Sequence, residues 1–327
     1  MKVLFIGGTG NISTSVSRLA IEQGIDLFLL TRGSRKVKIA GANVITADIF
    51  NKTEILPLIK STDWDVVVNW IAFTEDDVAR DISLFRGRTR QYIFISSASA
   101  YQKPVSYPVI TESTPLANPF WEYSRNKIAA EERLMKAYRD EGFPVTIIRP
   151  SHTYDTVIPV AIGGWSEYTI IDRMKKNKPV IVHGDGTSLW VLTHAEDFAK
   201  GLNGLFGNQQ SIGHAFHITS DEILTWNQIY DIIAEAAGVQ AVKVHVASEI
   251  IAGHNDLFTG ELLGDKAHSV IFDNSKIKQF VPGFTATIPF YKGIRKTLEW
   301  FEEDASRQIM HAETGKFMDM LADKYGL

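Results

Sequence analysis

Short runs of consecutive apolar residues recur along the first half of the chain, and most are separated by stretches long enough for helices. These runs predict β-strands at residues 2–6, 26–30, 43–46, 65–69, 91–96 and 145–149. Continuous apolar runs, in place of strict alternation with polar residues, are typical of a parallel sheet that helices cover on both faces. Residues 1–155 are therefore expected to form a doubly wound α/β domain.

The pattern becomes less regular beyond Pro150, where glycine-rich interruptions separate shorter elements. Helical periodicity returns at 225–238, with Thr225 as a candidate N-cap, and at 291–304. We expect residues 156–327 to form a smaller, discontinuous α/β domain that binds the substrate, while elements around 190–220 complete the first domain. The tail from residue 305 is amphipathic and is expected to pack on the body of the protein.

Composition narrows the class of protein. With 45% hydrophobic and 22% charged residues among 327, the chain is typical of a soluble globular protein. A net charge of −4 does not favour a nucleic-acid partner, and the absence of cysteine excludes disulfides and thiolate chemistry. No apolar stretch reaches the length of a membrane span, and no signal peptide precedes the first strand. A cytoplasmic enzyme or binding protein that does not associate with membranes is expected.

A glycine turn joins the first strand to the first predicted helix. Gly7, Gly10 and Ser13 stand at the spacing of a dinucleotide-binding fingerprint, although glycine is usual at the third position. An ordinary glycine-rich turn is the alternative, but the strand–turn–helix context favours a Rossmann-type domain that binds the pyrophosphate at the helix N-terminus. The predicted cofactor-binding residues of this turn are Gly7, Thr9, Gly10, Asn11 and Ile12.

The end of the second strand bears on the choice of dinucleotide. The acidic residue that would bind an NAD ribose is absent there, and Thr31, Arg32 and Arg35 stand near its place. Arginine binds phosphate bidentately, so this segment favours NADP over NAD, unless it is only a solvated basic loop. After the third strand, Asp48 is expected to accept from the adenine amino group, with Ile49 as a neighbouring cofactor contact.

Tyr123 and Lys127 stand four residues apart at the head of a predicted helix and so share one helical face. An ammonium group beside a phenol lowers the phenol pKa from its usual value of about 10 and allows acid–base chemistry near neutrality. Taken alone, this spacing is frequent on amphipathic helices and is more simply explained as a surface pair. Its place relative to other motifs makes it a candidate proton-transfer centre.

The order of three motifs carries a family resemblance. The glycine turn at 7–13, the serines around Ser97 after the fifth strand, and the Tyr123–Lys127 pair follow one another at spacings that resemble the extended short-chain dehydrogenase/reductase family. The chain is most similar to its NAD-dependent epimerase/dehydratase-like branch, as a divergent member. Further matching segments lie at 149–152, 184–186, 193–197, 273–276 and 300.

The resemblance implies roles by position. Tyr123 would be the general acid/base, Lys127 would lower its pKa and hold the nicotinamide ribose, and Ser97 would hydrogen-bond the reacting oxygen, with Ser99 as its substitute. Further cofactor contacts implied in this way are Asn69, Ile71, Ala72, Phe73, Pro150 and Ser151. The family also implies a homodimer formed through helices around 76–85 and 123–139.

Departures from the family pattern concern the substrate. Ala98 and Ser99 stand where sugar dehydratases carry an acidic pair, which argues against 4,6-dehydration. Trp190 stands near the place of the arginine that commonly binds a nucleotide-sugar diphosphate, and an indole offers an apolar face and one donor instead. The substrate is then a non-nucleotide, or its phosphates are held elsewhere. The candidates for such phosphate contacts are Lys266, His268 and Arg173.

Candidate substrate residues are therefore Ser99, His152 and Trp190, although Trp190 could equally be a core aromatic residue. We expect no metal, because His183, His214 and His217 do not form a ligand set, and we expect His194 to be structural.

The predicted function is that of an NAD(P)-dependent oxidoreductase or epimerase acting on a sugar-like or other hydroxyl- or carbonyl-bearing small molecule. Net redox chemistry and epimerisation are not separated by the sequence. The alternative is a cofactor-sensing or RNA-binding member of the same fold, because the segment 263–269 resembles the divergent branch of chloroplast stem-loop-binding proteins.

Overall fold

The computed structural model of the chain describes residues 1–34, 38–60 and 62–326. Its strands are β1 (Lys2–Ile6), β2 (Asp26–Thr31), β3 (Asn43–Thr46), β4 (Val66–Asn69), β5 (Tyr92–Ile95), β6 (Val109–Ile110), β7 (Val145–Arg149), β8 (His152–Tyr154), β9 (Val180–His183), β10 (Leu189–Trp190), β11 (Leu192–His194), β12 (Ala215–His217), β13 (Leu224–Thr225), β14 (Lys243–Val246) and β15 (Ile271–Phe272).

Its α-helices are α1 (Ser13–Glu22), α2 (Lys52–Lys60), α3 (Glu75–Phe85), α4 (Glu122–Glu141), α5 (Thr169–Lys175), α6 (Ala195–Gly204), α7 (Trp226–Ala236), α8 (Ser248–His254), α9 (Ser275–Phe280), α10 (Phe290–Glu302) and α11 (Ala312–Tyr325). Short 3₁₀ turns lie at Ala98–Ala100, Gln209–Ser211 and Ala305–Arg307, and a π-helix spans Thr259–Lys266.

The central element is a seven-stranded parallel sheet with the order β12-β7-β5-β4-β1-β2-β3. The six strands predicted from apolar runs are all present, with ends that agree within one residue. This confirms the doubly wound, Rossmann-type α/β fold. Strand order reverses at β1, whose two neighbours are β2 and β4, and ligands of such sheets bind in the crevice at the carboxyl ends beside this point.

Helices cover the two faces of the sheet. On one face α1 and α6 contribute Val16 and Phe198 to an apolar core, and on the other α3 and α4 contribute Ile82 and Leu134. The central strand β4 is buried along its whole length because it has a packed layer on each side. This double burial is the physical reason for the continuous apolar runs in the sequence.

The second half of the chain adds small sheets and helices beside the carboxyl edge of the main sheet. The predicted helix after Thr225 is confirmed as α7, which begins with a capping box: the Thr225 hydroxyl accepts from the Gln228 N–H at 3.2 Å, and the Gln228 side chain accepts from the Thr225 N–H at 2.8 Å. The tail forms α11, which buries Met318 and Leu321 in a core with β9 and β14.

Strand β12 and helix α6 belong to the main sheet and its cover, so the first structural unit recruits residues well beyond 155. The division into a cofactor domain and a smaller substrate domain stays a prediction. In the described parts of the chain, no helix combines the length and apolar character needed to cross a bilayer.

Candidate functional site

A cleft of about 1850 Å³ opens at the carboxyl ends of the sheet strands. One end is formed by the glycine turn and the ends of β2 and β3. The other is formed by the segment after β5, the first turn of α4, the loop 160–167, the π-helix and the start of α11. The cleft therefore joins the predicted cofactor residues to the predicted catalytic residues.

The glycine turn has a backbone that side chains would disturb. Gly7 and Gly8 have φ angles of +100° and +106°, and a Cβ on Gly8 would lie 2.7 Å from Leu29 Cδ2. Such a close-packed turn at a helix N-terminus fits the pyrophosphate of a dinucleotide. Gly8 was not singled out from the sequence, because the fingerprint spacing emphasises Gly7 and Gly10. The Gly10 N–H, which was expected to face the pyrophosphate, donates to the Ser13 hydroxyl at 2.8 Å.

Asn11 fastens the turn to the strand that follows β7. Its side-chain amide donates to the Thr153 carbonyl at 2.9 Å and accepts from the Thr156 N–H at 3.2 Å. Asn11 lines the cleft together with Thr9 and Ile12. Both polar ends of the Asn11 side chain are thus engaged within the protein, and they hold the turn in place.

The end of the cleft beside β2 and β3, where the adenine is predicted to lie, is lined by Thr31, Arg32 and Asp48, with buried Ile49 beside them. Asp48 accepts from the Phe50 N–H at 3.0 Å through one carboxylate oxygen, which leaves the other for a ligand. Arg32 is exposed there, and Lys38, which was not predicted, adds a second cation. Arg35 lies outside the described residues.

The turn after β4 is shaped by Asn69. This side chain is fully buried and accepts from the N–H groups of Ile71 and Ala72 at 2.8 and 2.9 Å. Ile71 is 37% exposed and lines the cleft. Ala72 is fully buried and lies outside the cleft lining, and its backbone N–H and carbonyl are engaged by Asn69 and Lys127. Pro150, also predicted, lines the cleft at the end of β7.

Ser97, Tyr123 and Lys127 meet in the middle of the cleft. Tyr123 and Lys127 lie one helical turn apart at the start of α4, and the Ser97 hydroxyl is near enough to the Tyr123 phenol to oppose the rise of its pKa. Lys127 is 2% exposed and donates to the carbonyls of Ala72 and Ile95 at 2.7 and 2.8 Å. Its ammonium also lies 4.4 Å from the centre of the Phe73 ring. The lysine is thus held by the turn after β4 and the end of β5, as well as by its own helix.

The protonation equilibria in the free protein differ from the expectation. Burial raises the pKa of Tyr123, and the hydrogen bond from Ser97 only partly opposes this. Burial also lowers the pKa of Lys127 to about 7, against the attraction of Glu131 and Asp77. The predicted lowering of the phenol pKa by its neighbour is therefore absent here. The Lys127 ammonium lies 5.8 Å from the Tyr123 ring centre and is engaged by carbonyl oxygens.

Ser99 stands behind Ser97 in a chain of hydroxyl groups. The Ser97 and Ser99 oxygens are 2.9 Å apart, and the Ser124 hydroxyl donates to Ser99 at 2.7 Å. Ser99 lines the cleft but is only 3% exposed. Its position suits the support of Ser97 better than direct contact with a substrate.

His152 and Trp190, the predicted substrate residues, lie together at the other end of the cleft. The Trp190 indole N–H donates to His152 Nδ1 at 3.2 Å, and Trp190 is 2% exposed within an apolar core. Trp190 nevertheless lines the cleft, so its predicted contact with a substrate stays a prediction, although its N–H donates to His152 and its ring packs beside Trp226. Burial and the nearby Lys266 ammonium hold the pKa of His152 well below its usual range.

Two buried lysines complete this end of the cleft. Lys266 was predicted as a phosphate contact and lines the cleft, 3.8 Å from Glu261. Lys103 was not predicted; it is 4% exposed and lies 4.0 Å from Asp265. No sequence signal marked Lys103, because it reaches the cleft from an irregular loop.

Two other phosphate candidates are wrong. Arg173 donates to Asp319 at 2.7 Å and to two backbone carbonyls, and it does not line the cleft. His268 is engaged with the Leu263 carbonyl at 2.8 Å and also lies outside the lining.

His194 caps α6 by accepting from the Glu196 N–H. Within the described residues, no group of His, Asp and Glu side chains is arranged to hold a metal ion.

Comparison with known proteins gives the following similarities. Residues 3–218 match the family model described as "NAD dependent epimerase/dehydratase family". A 2'-dehydrokanamycin reductase of Streptomyces kanamyceticus is 24% identical over 294 residues, which cover 87% of this chain and 80% of that protein. The chloroplast stem-loop binding protein of 41 kDa b of Arabidopsis thaliana is 24% identical over 250 residues, covering 72% of this chain and 63% of that protein.

Among solved structures, the UDP-glucuronic acid 4-epimerase of Bacillus cereus, in complex with UDP-glucuronic acid and NAD, aligns with a TM-score of 0.74. The two chains are 17% identical, and the alignment covers 93% of this chain and 99% of the epimerase. At this identity the structural likeness shows the shared fold.

Proposed function

Because the chain belongs to the NAD dependent epimerase/dehydratase family, as its motif order predicted, we propose that it is an NAD(P)-dependent oxidoreductase or epimerase. Its substrate is a sugar-like or other small molecule that bears a hydroxyl or carbonyl group. The observation that carries this proposal is the placement of Ser97, Tyr123 and Lys127 in the same cleft as the glycine turn. An acid/base, a hydroxyl donor and a dinucleotide cradle are the parts that this chemistry needs.

The cofactor would lie across the switch point of the sheet. The backbone of residues 7–12 would hold its pyrophosphate, Asp48 and Ile49 its adenine, and Lys127 its nicotinamide ribose. The dinucleotide supplies a hydride acceptor or donor, which is the redox chemistry that the side chains lack.

The chain's own residues handle the proton. Tyr123 holds a proton on its phenol oxygen and exchanges it with the reacting oxygen of the substrate, and Ser97 donates a hydrogen bond to that same oxygen. Ser99 and Ser124 keep the Ser97 hydroxyl in place. Lys127 in its charged form would favour the phenolate and so activate Tyr123, once its ammonium is released from the Ala72 and Ile95 carbonyls.

The proposal is tested with Tyr123→Phe. The purified protein is incubated with NAD(P)⁺ or NAD(P)H and a panel of UDP-glucose, UDP-glucuronic acid and 2'-dehydrokanamycin, and nicotinamide absorbance and sugar products are followed. We expect Tyr123→Phe to lower turnover at least ~100-fold, because general acid–base catalysis contributes about that much, with cofactor affinity unchanged. Tyr107→Phe is the matched control, because Tyr107 is 66% exposed and lies outside the cleft lining. Equal turnover in wild type and Tyr123→Phe would contradict the proposal.

The same purified protein separates epimerisation from net redox chemistry. A dinucleotide that stays bound through purification favours epimerisation, and one that exchanges freely favours net redox. Dehydration is not proposed, because Ala98 and buried Ser99 follow Ser97 where a proton-transferring carboxylate would be needed.

We propose NADP as the preferred cofactor, because Arg32 and Lys38 place two cations at the adenine end of the cleft. Titration calorimetry with NADP⁺ and NAD⁺ tests this. Arg32→Ala is expected to weaken NADP⁺ binding more than NAD⁺ binding, while Arg90→Ala, at an exposed position outside the cleft lining, leaves both unchanged. Equal affinity for the two dinucleotides in the wild type would refute the preference.

A second candidate function is RNA binding or cofactor sensing, and the similarity to the chloroplast stem-loop binding protein favours it. The net charge of −4 and the retained Ser97, Tyr123 and Lys127 speak for chemistry instead. Salt-sensitive RNA binding, together with full activity of Tyr123→Phe, would replace the enzyme proposal by this one.

We also propose a homodimer formed through α3 and α4. The two helices pack side by side on one face of the sheet, so they present adjacent outer surfaces to a second copy. Light scattering after gel filtration tests this state, and a mass equal to one chain would refute it.

A further inference from the structure

Trp165 has a backbone conformation that a tryptophan rarely adopts. Its φ angle is +58°, and its indole is 51% exposed in the wall of the cleft. The backbone is held there by a two-way bridge, in which Ile158 N–H donates to the Trp165 carbonyl at 2.9 Å and Trp165 N–H donates to the Ile158 carbonyl at 2.6 Å. A bulky residue in this region is strained, and such strain concentrates at ligand sites.

The tight turn before Trp165 explains how the strain is imposed. Gly163 has a φ of +73°, and a Cβ on Gly164 would lie 2.3 Å from Val160 Cγ2. Only glycines allow the turn at 163–164 to lie this close to the segment around Ile158. The turn therefore delivers a large, half-exposed aromatic surface to the cleft, although glycine would suit position 165 better.

His152 faces Trp165 with a fixed tautomer. The two ring centres are 5.8 Å apart and the ring planes are inclined by 37°. Because Nδ1 accepts the indole N–H of Trp190, the ring proton of neutral His152 resides on Nε2. Buried Trp226, with its ring centre 6.3 Å away, limits movement of the imidazole. His152 thus offers one N–H donor beside an apolar ring face.

We propose that the Trp165 indole face and His152 Nε2–H form a binding subsite for an uncharged, hydroxylated saccharide-type ring. This rests on the proposed function and names its substrate class. A saccharide ring presents C–H groups on one face, which pack on an indole, and hydroxyl oxygens at its edge, which accept from an N–H donor.

The charges around the subsite do not favour a diphosphate. Lys103 lies beside Asp265, and Lys266 lies beside Glu261. Each buried cation is thus balanced by a carboxylate, whereas a diphosphate needs an excess of positive charge or N–H donors. A neutral ring with hydroxyl groups can use both members of each pair.

The test is calorimetric binding of the neutral probes methyl glucoside, methyl galactoside and methyl N-acetylglucosaminide, and of UDP, to the full chain with NADP⁺ present. Trp165→Gly removes the indole and relieves the backbone strain, and Trp165→Phe restores an aromatic face. We expect Trp165→Gly to weaken binding of a saccharide probe about tenfold without lowering Tm, and Trp165→Phe to recover most of that loss. His152→Leu is expected to weaken binding similarly, whereas His152→Gln, which keeps an N–H donor, recovers part of it.

Asn177→Gly is the matched control, because Asn177 also has a positive φ, of +53°, but lies outside the cleft lining. It should leave every probe's Kd unchanged. Equal saccharide affinity in wild type and Trp165→Gly would overturn the subsite, and so would failure of the wild type to bind any saccharide probe. UDP binding that depends on Trp165 would assign the indole face to a nucleobase, and this result would also overturn the saccharide subsite. Titration of NADP⁺ alone, without a saccharide, is independent of these outcomes and tests the proposed function separately.

Discussion

Lys127 is expected to make the stability of the cofactor-free protein rise with pH. Its ammonium group is 2% exposed, and burial lowers its pKa from 10.5 to about 7. Above the folded-state pKa the folded protein releases this proton, while the unfolded chain keeps it until near its own, higher pKa. Because the unfolded state then binds more protons, the free energy of unfolding increases with pH across this window.

The magnitude follows from the pKa difference. The cost of burying the charged amine is fully present below about pH 7 and vanishes above about pH 10.5. Between about pH 7 and about pH 9, linkage gives an increase of about 2 kcal/mol in the free energy of unfolding from this group alone. Lys127→Met removes the titrating group and therefore this contribution to the slope of the free energy of unfolding against pH. The variant also leaves the Ala72 and Ile95 carbonyls without their donor, so absolute stabilities are not the quantity to compare.

The assay is urea unfolding of the cofactor-free protein at several pH values in this range, with the wild-type and Lys127→Met slopes compared. Lys136→Met is the control, since Lys136 lies on the same helix but its side chain is 64% exposed. We expect the wild type and Lys136→Met to share one slope and Lys127→Met to have a smaller one. Identical slopes for wild type and Lys127→Met would refute the assignment of a depressed lysine pKa to burial.

Three further predictions concern the structure around the site. Gly8→Ala should lower the free energy of unfolding by more than about 1 kcal/mol and weaken dinucleotide binding in calorimetry, because φ is +106° and the new Cβ would meet Leu29. If neither quantity changed, the role of the glycine turn in dinucleotide binding would be contradicted. Glu131→Gln should cost about 3–5 kcal/mol in urea unfolding, because Glu131 is 2% exposed and accepts from the Arg149 guanidinium at 2.6 Å, whereas exposed Glu132→Gln should cost almost nothing. Thr225→Ala should cost about 1 kcal/mol through loss of the α7 cap, and Thr225→Ser should restore it.

Features that depend on neighbours in the sequence were predictable. The strands followed from apolar runs, and the cap at Thr225 followed from a residue type at one position. Tyr123 and Lys127 were placed on one helix face because the helical repeat determines that spacing. Each of these outcomes depends on local backbone geometry, which a few consecutive residues specify.

Features that depend on distant segments were not predictable. Lys103 and Asp265 meet only because an irregular loop and the π-helix reach the same wall of the cleft. Arg173 was a reasonable phosphate ligand by charge, but its guanidinium donates to Asp319 of the tail helix instead. A residue type shows which bonds a side chain can form, and packing decides which of them it forms.

The sequence by itself determined the sheet, the glycine turn and the order of the family motifs, because strand periodicity and helical spacing are local properties. Only the tertiary structure decided that Trp190 is buried, with its N–H donating to His152, while Trp165 exposes about half of its surface in the cleft wall. Both are tryptophans, so residue type does not separate them. Their difference arises from a two-glycine turn pinned to Ile158 and from the layers that bury β10, which are long-range consequences of how the whole chain packs.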